Sequence, residues 1–221
     1  MTTTGAARRI DWVVLDLGET LLDETREWTR WAQWLDVPPL TFFAELGAAI
    51  AERRPHTDAL EHFRPGLDLD DERRRKTDAG LGWAPTVDDL YADALPTLAA
   101  LHAAGFPVAV FANQPLTAEA LMAALPVDRF ATSARWGVAK PDPAFFAQVA
   151  AELDVDPATV AYVGDRVDND VLPAKAAGMF AVHLVRGPWG HIQSRWPEAH
   201  EADVTIAGLA DLVPALARFA T

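Results

Sequence analysis

The sequence predicts an α/β protein: a doubly wound parallel sheet with a block of helices inserted after its first strand. Three patterns predict it. Four apolar runs are continuous rather than alternating, the mark of strands buried on both faces. Helical patterns ended by glycine or opened near proline stand between them. Residues 24–88 break the alternation, with helical stretches and no convincing strand.

In chain order, "IDWVVLD" (10–16) is the first strand. The insertion follows, with helices in "ETREWTRWAQWL", "TFFAELGAAIAERR" and "LDDERRRKTDAG". "DLYADALPTLAALHAAG" is a helix leading to the second strand, "FPVAVFA" (106–112), and "LTAEALMAAL" is the helix after it. "FATSA" (130–134) is a weaker strand, followed by the helix "DPAFFAQVAAEL" and the strand "VAYVGD" (160–165). The helix "VLPAKAAG" leads to the strand "MFAVHLV" (179–185), and "GPWGHIQSRWP" (187–197) reads as an aromatic-containing loop. The weaker strand "DVTI" (203–206) and the helix "LADLVPALARFA" close the chain. The expected division is a core of residues 1–23 and 89–221 and a helical segment of residues 24–88.

Composition narrows the function. The 221 residues hold 19 basic and 32 acidic side chains, for a net charge of −13, which argues against nucleic acid or an anionic membrane as partner. An anionic substrate must then be held by a few placed donors or a metal. The absence of cysteine rules out disulfides, thiolate metal sites and a cysteine nucleophile. The opening "MTTTGAARRIDWVVLDLG" resembles neither a signal peptide nor a membrane span, so a cytoplasmic location is expected. Oligomeric state is left open.

Ligands of such sheets bind at the carboxyl ends of the strands. Asp16 stands after the first strand, Asn113 and Gln114 after the second, and Asp165 after "VAYVG" with Asp168 and Asp170 close behind. Lys140 lies in "WGVAKPDPAFF", just before a helix. Carboxylates from several loops, without His or Cys, suit a hard cation, and Mg²⁺ is expected. A lysine beside it would stabilise charge on a phosphate, and a carboxylate nucleophile would form an aspartyl-phosphate.

These residues resemble the haloacid dehalogenase (HAD) superfamily. "DLGET" (Asp16 to Thr20) stands for its first motif, "VAVFANQ" for its second, Lys140-Pro141 for its third and "GDRVDND" (Gly164 to Asp170) for its fourth. The resemblance spans nearly the whole chain and implies a Rossmann-like core with residues 24–88 as a helical cap. It implies Asp16 as nucleophile and Mg²⁺ ligand, with the Gly18 carbonyl and Asp165 as further ligands. Asp170 would act through water, and Asp168 is less favoured. Lys140 would bridge nucleophile and phosphate, the Asn113 N–H would hold the phosphate, and Thr20 would support the loop. The implied function is a Mg²⁺-dependent phosphatase acting on a small phosphorylated metabolite.

Two positions depart from the family pattern. Gly18 replaces the aspartate that serves as general acid/base, worth typically ~10²–10⁴-fold in rate. Ala112 replaces a hydroxyl donor, worth on the order of 2–4 kcal/mol of transition-state stabilisation. Three explanations stand for Gly18: a substitute such as Glu19, His56 or His62, a substrate with a good leaving group such as an acyl phosphate, or a non-catalytic metal- and anion-binding protein. Dehalogenation is disfavoured by the acid cluster of "GDRVDND". Phosphonate cleavage is disfavoured because the only lysine of the insertion, Lys76, sits in a polar run expected to face solvent. Trp28, Trp31 and Trp34, three residues apart, are expected to pack together, or alternatively to wall a substrate site. Arg53, Arg54 and Arg73–Arg75 are read as solvated helix faces, one of which would be free to clamp a substrate anion. His183 is read as structural.

Overall fold

The computed structural model describes residues 9–219. Its centre is a six-stranded, all-parallel sheet in the order β3-β2-β1-β4-β5-β6. The strands are β1 (Trp12–Leu15), β2 (Val108–Ala112), β3 (Arg129–Thr132), β4 (Val160–Gly164), β5 (Phe180–Leu184) and β6 (Val204–Ile206). All six expected strands are present, including the two weaker ones.

Both sheet faces are covered, which is why the central strands read as unbroken apolar runs. Val13, Leu15, Val108, Val110 and Ala112 point into one core, while Val14, Ala109, Phe111, Tyr162 and Ala181 point into the other. Before β2 the chain forms α1 (Thr25–Trp34), α2 (Pro39–Ala51), α3 (Asp58–Phe63), α4 (Leu69–Lys76) and α5 (Ala94–Ala103). After β2 come α6 (Glu119–Met122), α7 (Ser133–Trp136), α8 (Pro143–Leu153), α9 (Leu172–Ala176), α10 (Gly187–Gln193) and α11 (Leu212–Leu216). Helices α5 and α11 cover the first core, and α8 and α9 the second.

Helices α1 to α3 build a third apolar cluster around Trp31, Phe42, Leu46, Ile50 and Leu60. Trp28, Trp31 and Trp34 all pack in or against it, as expected from their spacing. One member, Trp189, comes from α10 and is 5% exposed. The stretch 187–197 is therefore not the loop its composition suggests. Gly187 takes a positive φ of 62°, Pro188 opens the first turn, and Trp189 is anchored among the inserted helices, so tertiary contact overrides a weak helix propensity. At the other end of α10, the Gln193 carboxamide accepts from the Val167 amide at 2.6 Å. Helix α10 thus joins the inserted helices to the loop after β4.

Trp189→Ala should lower unfolding free energy by about 3 kcal/mol, the usual cost of emptying a buried aromatic site. Urea denaturation of the variant beside the parent measures it, and a change below about 1 kcal/mol would contradict the anchoring role.

Candidate active site

β1 and β4 are neighbours at the point where the strand order reverses, so the residues after them share one crevice. Asp16 directly follows β1, and its amide donates to the Val163 carbonyl at 2.9 Å. The next residues turn tightly: the amides of Thr20, Leu21 and Leu22 all converge on the Leu17 carbonyl at 3.3, 2.9 and 2.9 Å. Glu19 at the apex has φ 50°, and its amide donates to the Leu22 carbonyl at 2.7 Å.

After β4, the chain coils through a wide helical turn, Val167–Val171, that swings Asp170 back beside Asp165. The Asp170 amide donates to the Arg166 carbonyl at 2.9 Å, and the Arg166 amide donates to Asp170 Oδ2 at 3.0 Å. Gly164 permits this return, because a Cβ there would overlap the Asp170 side chain. Asp168 turns away to Arg166, at 3.0 and 2.9 Å, and to Gln193.

Ligand atoms of Asp16, Asp165 and Asp170 lie within 4.8 Å of one another, and all three residues are buried. Lys140 Nζ reaches Asp16 Oδ1 at 2.8 Å and Asp170 Oδ1 at 2.5 Å. Its loop is clamped by Asn113, whose carboxamide accepts from the Lys140 amide and donates to the Lys140 carbonyl, each at 2.8 Å. Burial opposes the Lys140 charge, but Asp16 and Asp170 outweigh it and hold the ammonium well above the ordinary lysine range. Burial pushes Asp165 well above the usual carboxylate range, with Asp170 and Asp16 adding to it. Burial also raises Asp170, to about 6, against the opposing pull of Lys140.

Three carboxyl groups share one ammonium in a buried pocket, and Asp165 Oδ2 is buried without a hydrogen-bond partner. That donor set and orphaned oxygen fit a hard divalent cation. His183 supports the cluster from below: its Nε2 lies 3.0 Å from the Asp165 carbonyl and must carry the proton, because a carbonyl only accepts. The structural reading of His183 thus holds, with its burial lying directly under the acids.

Above the acids opens a cavity of about 690 Å³. Asp16, Gly18, Asn113 and Asp165 line its floor; Trp28, Trp31, His56, Arg73, Lys76, Trp83 and Trp189 line its walls. Asp170 and the Lys140 side chain lie behind the floor, and Thr20 is fully buried, its carbonyl accepting from Arg186 at 2.9 Å. One expectation is overturned. Lys76 does not face solvent: it is 2% exposed, bound to both Glu27 oxygens at 2.8 and 3.0 Å, with its ammonium 4.8 Å from the Trp31 ring centre. A polar run gives no hint that a buried acid one helix away will claim its last cation.

The candidate substitutes for a proton donor separate clearly. His62 is half exposed, near Glu45 at 3.9 Å, and does not line the cavity. His56 does, wedged edge-on against Trp28 and Trp189, where burial lowers its pKa to about 4. Glu19 also lines the cavity, but Oε1 accepts from the Glu24 amide at 3.0 Å and Oε2 from the Tyr91 hydroxyl at 2.6 Å. Sequence reasoning passed over Glu24 and placed Gln114 at the sheet edge without giving it a role. Glu24 Oε1 accepts from Gln114 Nε2 at 2.8 Å, and Gln114 Oε1 accepts from Trp83 Nε1 at 3.1 Å. Burial, then the charge of Glu19, raises the Glu24 carboxyl to about 8.

The acid cluster and the lysine thus stand at the switch point of the sheet, where such sheets bind their ligands. Residues 10–178 match the family model for haloacid dehalogenase-like hydrolases, and the chain belongs to that family. It is 34% identical over 110 residues to a glyceraldehyde 3-phosphate phosphatase of Methanopyrus kandleri; the match covers 48% of this chain and 47% of that one. The chain thus matches about half the length of that relative. Among solved structures, a predicted phosphoglycolate phosphatase of Haemophilus somnus 129PT superposes with TM-score 0.70 at 20% identity, covering 93% of this chain and 97% of that one. A 2-haloacid dehalogenase of Pseudomonas syringae pv. tomato DC3000 gives 0.62 at 23%, covering 96% and 100%. At those identities the two structures share the fold. No helix among the described residues is long and apolar enough to cross a membrane.

Gly164→Ala should destabilise the protein by about 1–3 kcal/mol, because Asp170 and its bond to Lys140 must shift to admit the methyl group. Urea denaturation tests this, and a neutral substitution would show that the Asp170 loop is free to move.

Proposed function

We propose that the chain is a Mg²⁺-dependent phosphatase acting on a small phosphorylated metabolite through a phosphoryl group carried on Asp16. The observation that carries the reading is the buried set of Asp16, Asp165, Asp170 and Lys140 beneath an open cavity. The phosphatase relative supports it. Asp16, Asp165 and Asp170 would hold the metal, which supplies charge neutralisation for a phosphate and the carboxylates around it. The remaining tasks fall to the chain itself.

Asp16 presents its carboxylate to the cavity floor as the nucleophile. Lys140, held between Asp16 and Asp170, fixes the nucleophile from behind. Asn113, an exposed residue pinned through its side chain to Lys140, offers its backbone amide to the phosphate. Residues 24–88 act as a cap: their tryptophans and His56 wall the cavity and exclude water from the phosphoryl group. Gly18 and Ala112 favour a second reading, a non-catalytic metal- and anion-binding protein on the same site.

Phosphate release from glycerol 3-phosphate, glyceraldehyde 3-phosphate, phosphoglycolate and acetyl phosphate, with and without Mg²⁺, separates the two. Asp16→Asn should lower turnover by at least about 10⁴-fold, as expected for loss of a nucleophile. Turnover equal to the parent's would remove the mechanism. Mg²⁺ binding without release from any of the four would favour the binding protein.

A further inference from the structure

The cavity floor contains a replacement that the sequence hides. Breaking an alkyl phosphate expels an alkoxide, which needs a proton, and the phosphoryl-enzyme then needs a base to activate water. Of the carboxylates lining the cavity, Asp16 is the nucleophile, Asp165 belongs to the metal cluster, and Glu27 is bound by Lys76 through both oxygens. Both Glu19 oxygens are taken by Tyr91 and the Glu24 amide. Glu24 remains.

Its position is specific. A Cβ built on Gly18 would lie 2.6 Å from Glu24 Oε1, 2.8 Å from its carboxyl carbon and 3.2 Å from Oε2. The Glu24 carboxyl therefore fills the space that any side chain at position 18 would enter, two residues beyond the nucleophile. Gln114, steadied by Trp83, fixes Oε1, and Oε2 accepts no hydrogen bond from the described residues. We propose that Glu24, seated over Gly18 at the head of the inserted helices, is the general acid and base of the reaction, an inference that rests on the phosphatase reading.

The steps balance. An Asp16 oxygen bonds to phosphorus, the bond from phosphorus to the substrate oxygen breaks, and that oxygen takes the Glu24 proton and leaves as alcohol. Glu24 carboxylate then removes a proton from water as the water oxygen bonds to phosphorus. The bond from phosphorus to Asp16 breaks, and inorganic phosphate leaves with Asp16 ionised and Glu24 protonated again.

Glu24→Gln tests this, because the amide oxygen still accepts from Gln114 while the proton is lost. On whichever of glycerol 3-phosphate, glyceraldehyde 3-phosphate and phosphoglycolate the parent hydrolyses fastest, kcat should fall ~10²–10⁴-fold. With 4-nitrophenyl phosphate, whose leaving group needs no proton, the variant should release a burst of nitrophenolate stoichiometric with enzyme and retain phosphate on Asp16. A merely structural role would abolish the burst as well, and that result overturns the proposal, as does alkyl phosphate turnover within about threefold of the parent. Should Glu24→Gln fail to fold, the double variant Gly18→Asp, Glu24→Ala decides. Removing Glu24 opens the space over position 18, so the aspartate should recover at least about tenfold in kcat over Glu24→Ala alone, and no recovery counts against the assignment. A parent inactive on every phosphate would instead overturn the phosphatase reading, and this inference with it.

Discussion

The buried ammonium of Lys140 is the contact on which the rest of the site depends. Asp16, Asp165 and Asp170 come from the ends of two adjacent strands and one recurved loop, and their mutual repulsion in a poorly solvated pocket opposes folding. Lys140 offsets part of it by bonding to two of the three. The backbone that carries Lys140 is held by both ends of one carboxamide, Asn113, from the end of β2. Four separate segments at the carboxyl edge of the sheet are thereby locked together by one cation. The Asp165 oxygen left without a partner is what a divalent ion would take up.

That frame was largely legible in the sequence. A continuous apolar run ending on an acid or amide needs only local information, and it places Asp16, Asn113 and Asp165 at one sheet edge, while Lys140 joins them from a turn just before a helix. The loop geometry that sends Asp168 outward to Arg166 and Asp170 inward to Lys140 has no local signature, since both acids follow β4 within a few residues, and only the family resemblance favours Asp170. Also hidden were features made by packing between distant segments. Lys76 is buried because Glu27 faces it from another helix, and α10 forms because Trp189 finds the apolar cluster of the insertion. Glu24 reads as the first polar residue of a helix, and only the tertiary structure sets it against Gly18, with Gln114 arriving from 90 residues away.

The inserted helices and the strand ends are coupled through α10. Trp189 on one side of that helix belongs to the cluster of the insertion, and Gln193 on the other holds the first amide of the turn that carries Asp170. Arg166, one residue after Asp165, lies 5.5 Å from the Trp189 ring centre.

Three glycines around the crevice follow one rule. Gly164 ends β4 where the Asp170 side chain needs the space of its missing Cβ. Gly187 takes a positive φ where the Glu19 side chain presses on it. Gly18 is bare where Glu24 rests. In each case a carboxylate from elsewhere in the chain occupies the volume that a Cβ would enter. The bare Gly18 of the "DLGET" turn thus leaves room for the Glu24 carboxyl, and the acidic function read as missing from position 18 is assigned to the group that fills this space. An aspartate at position 18 would meet the Glu24 carboxyl, and that side chain would have to swing away to admit it.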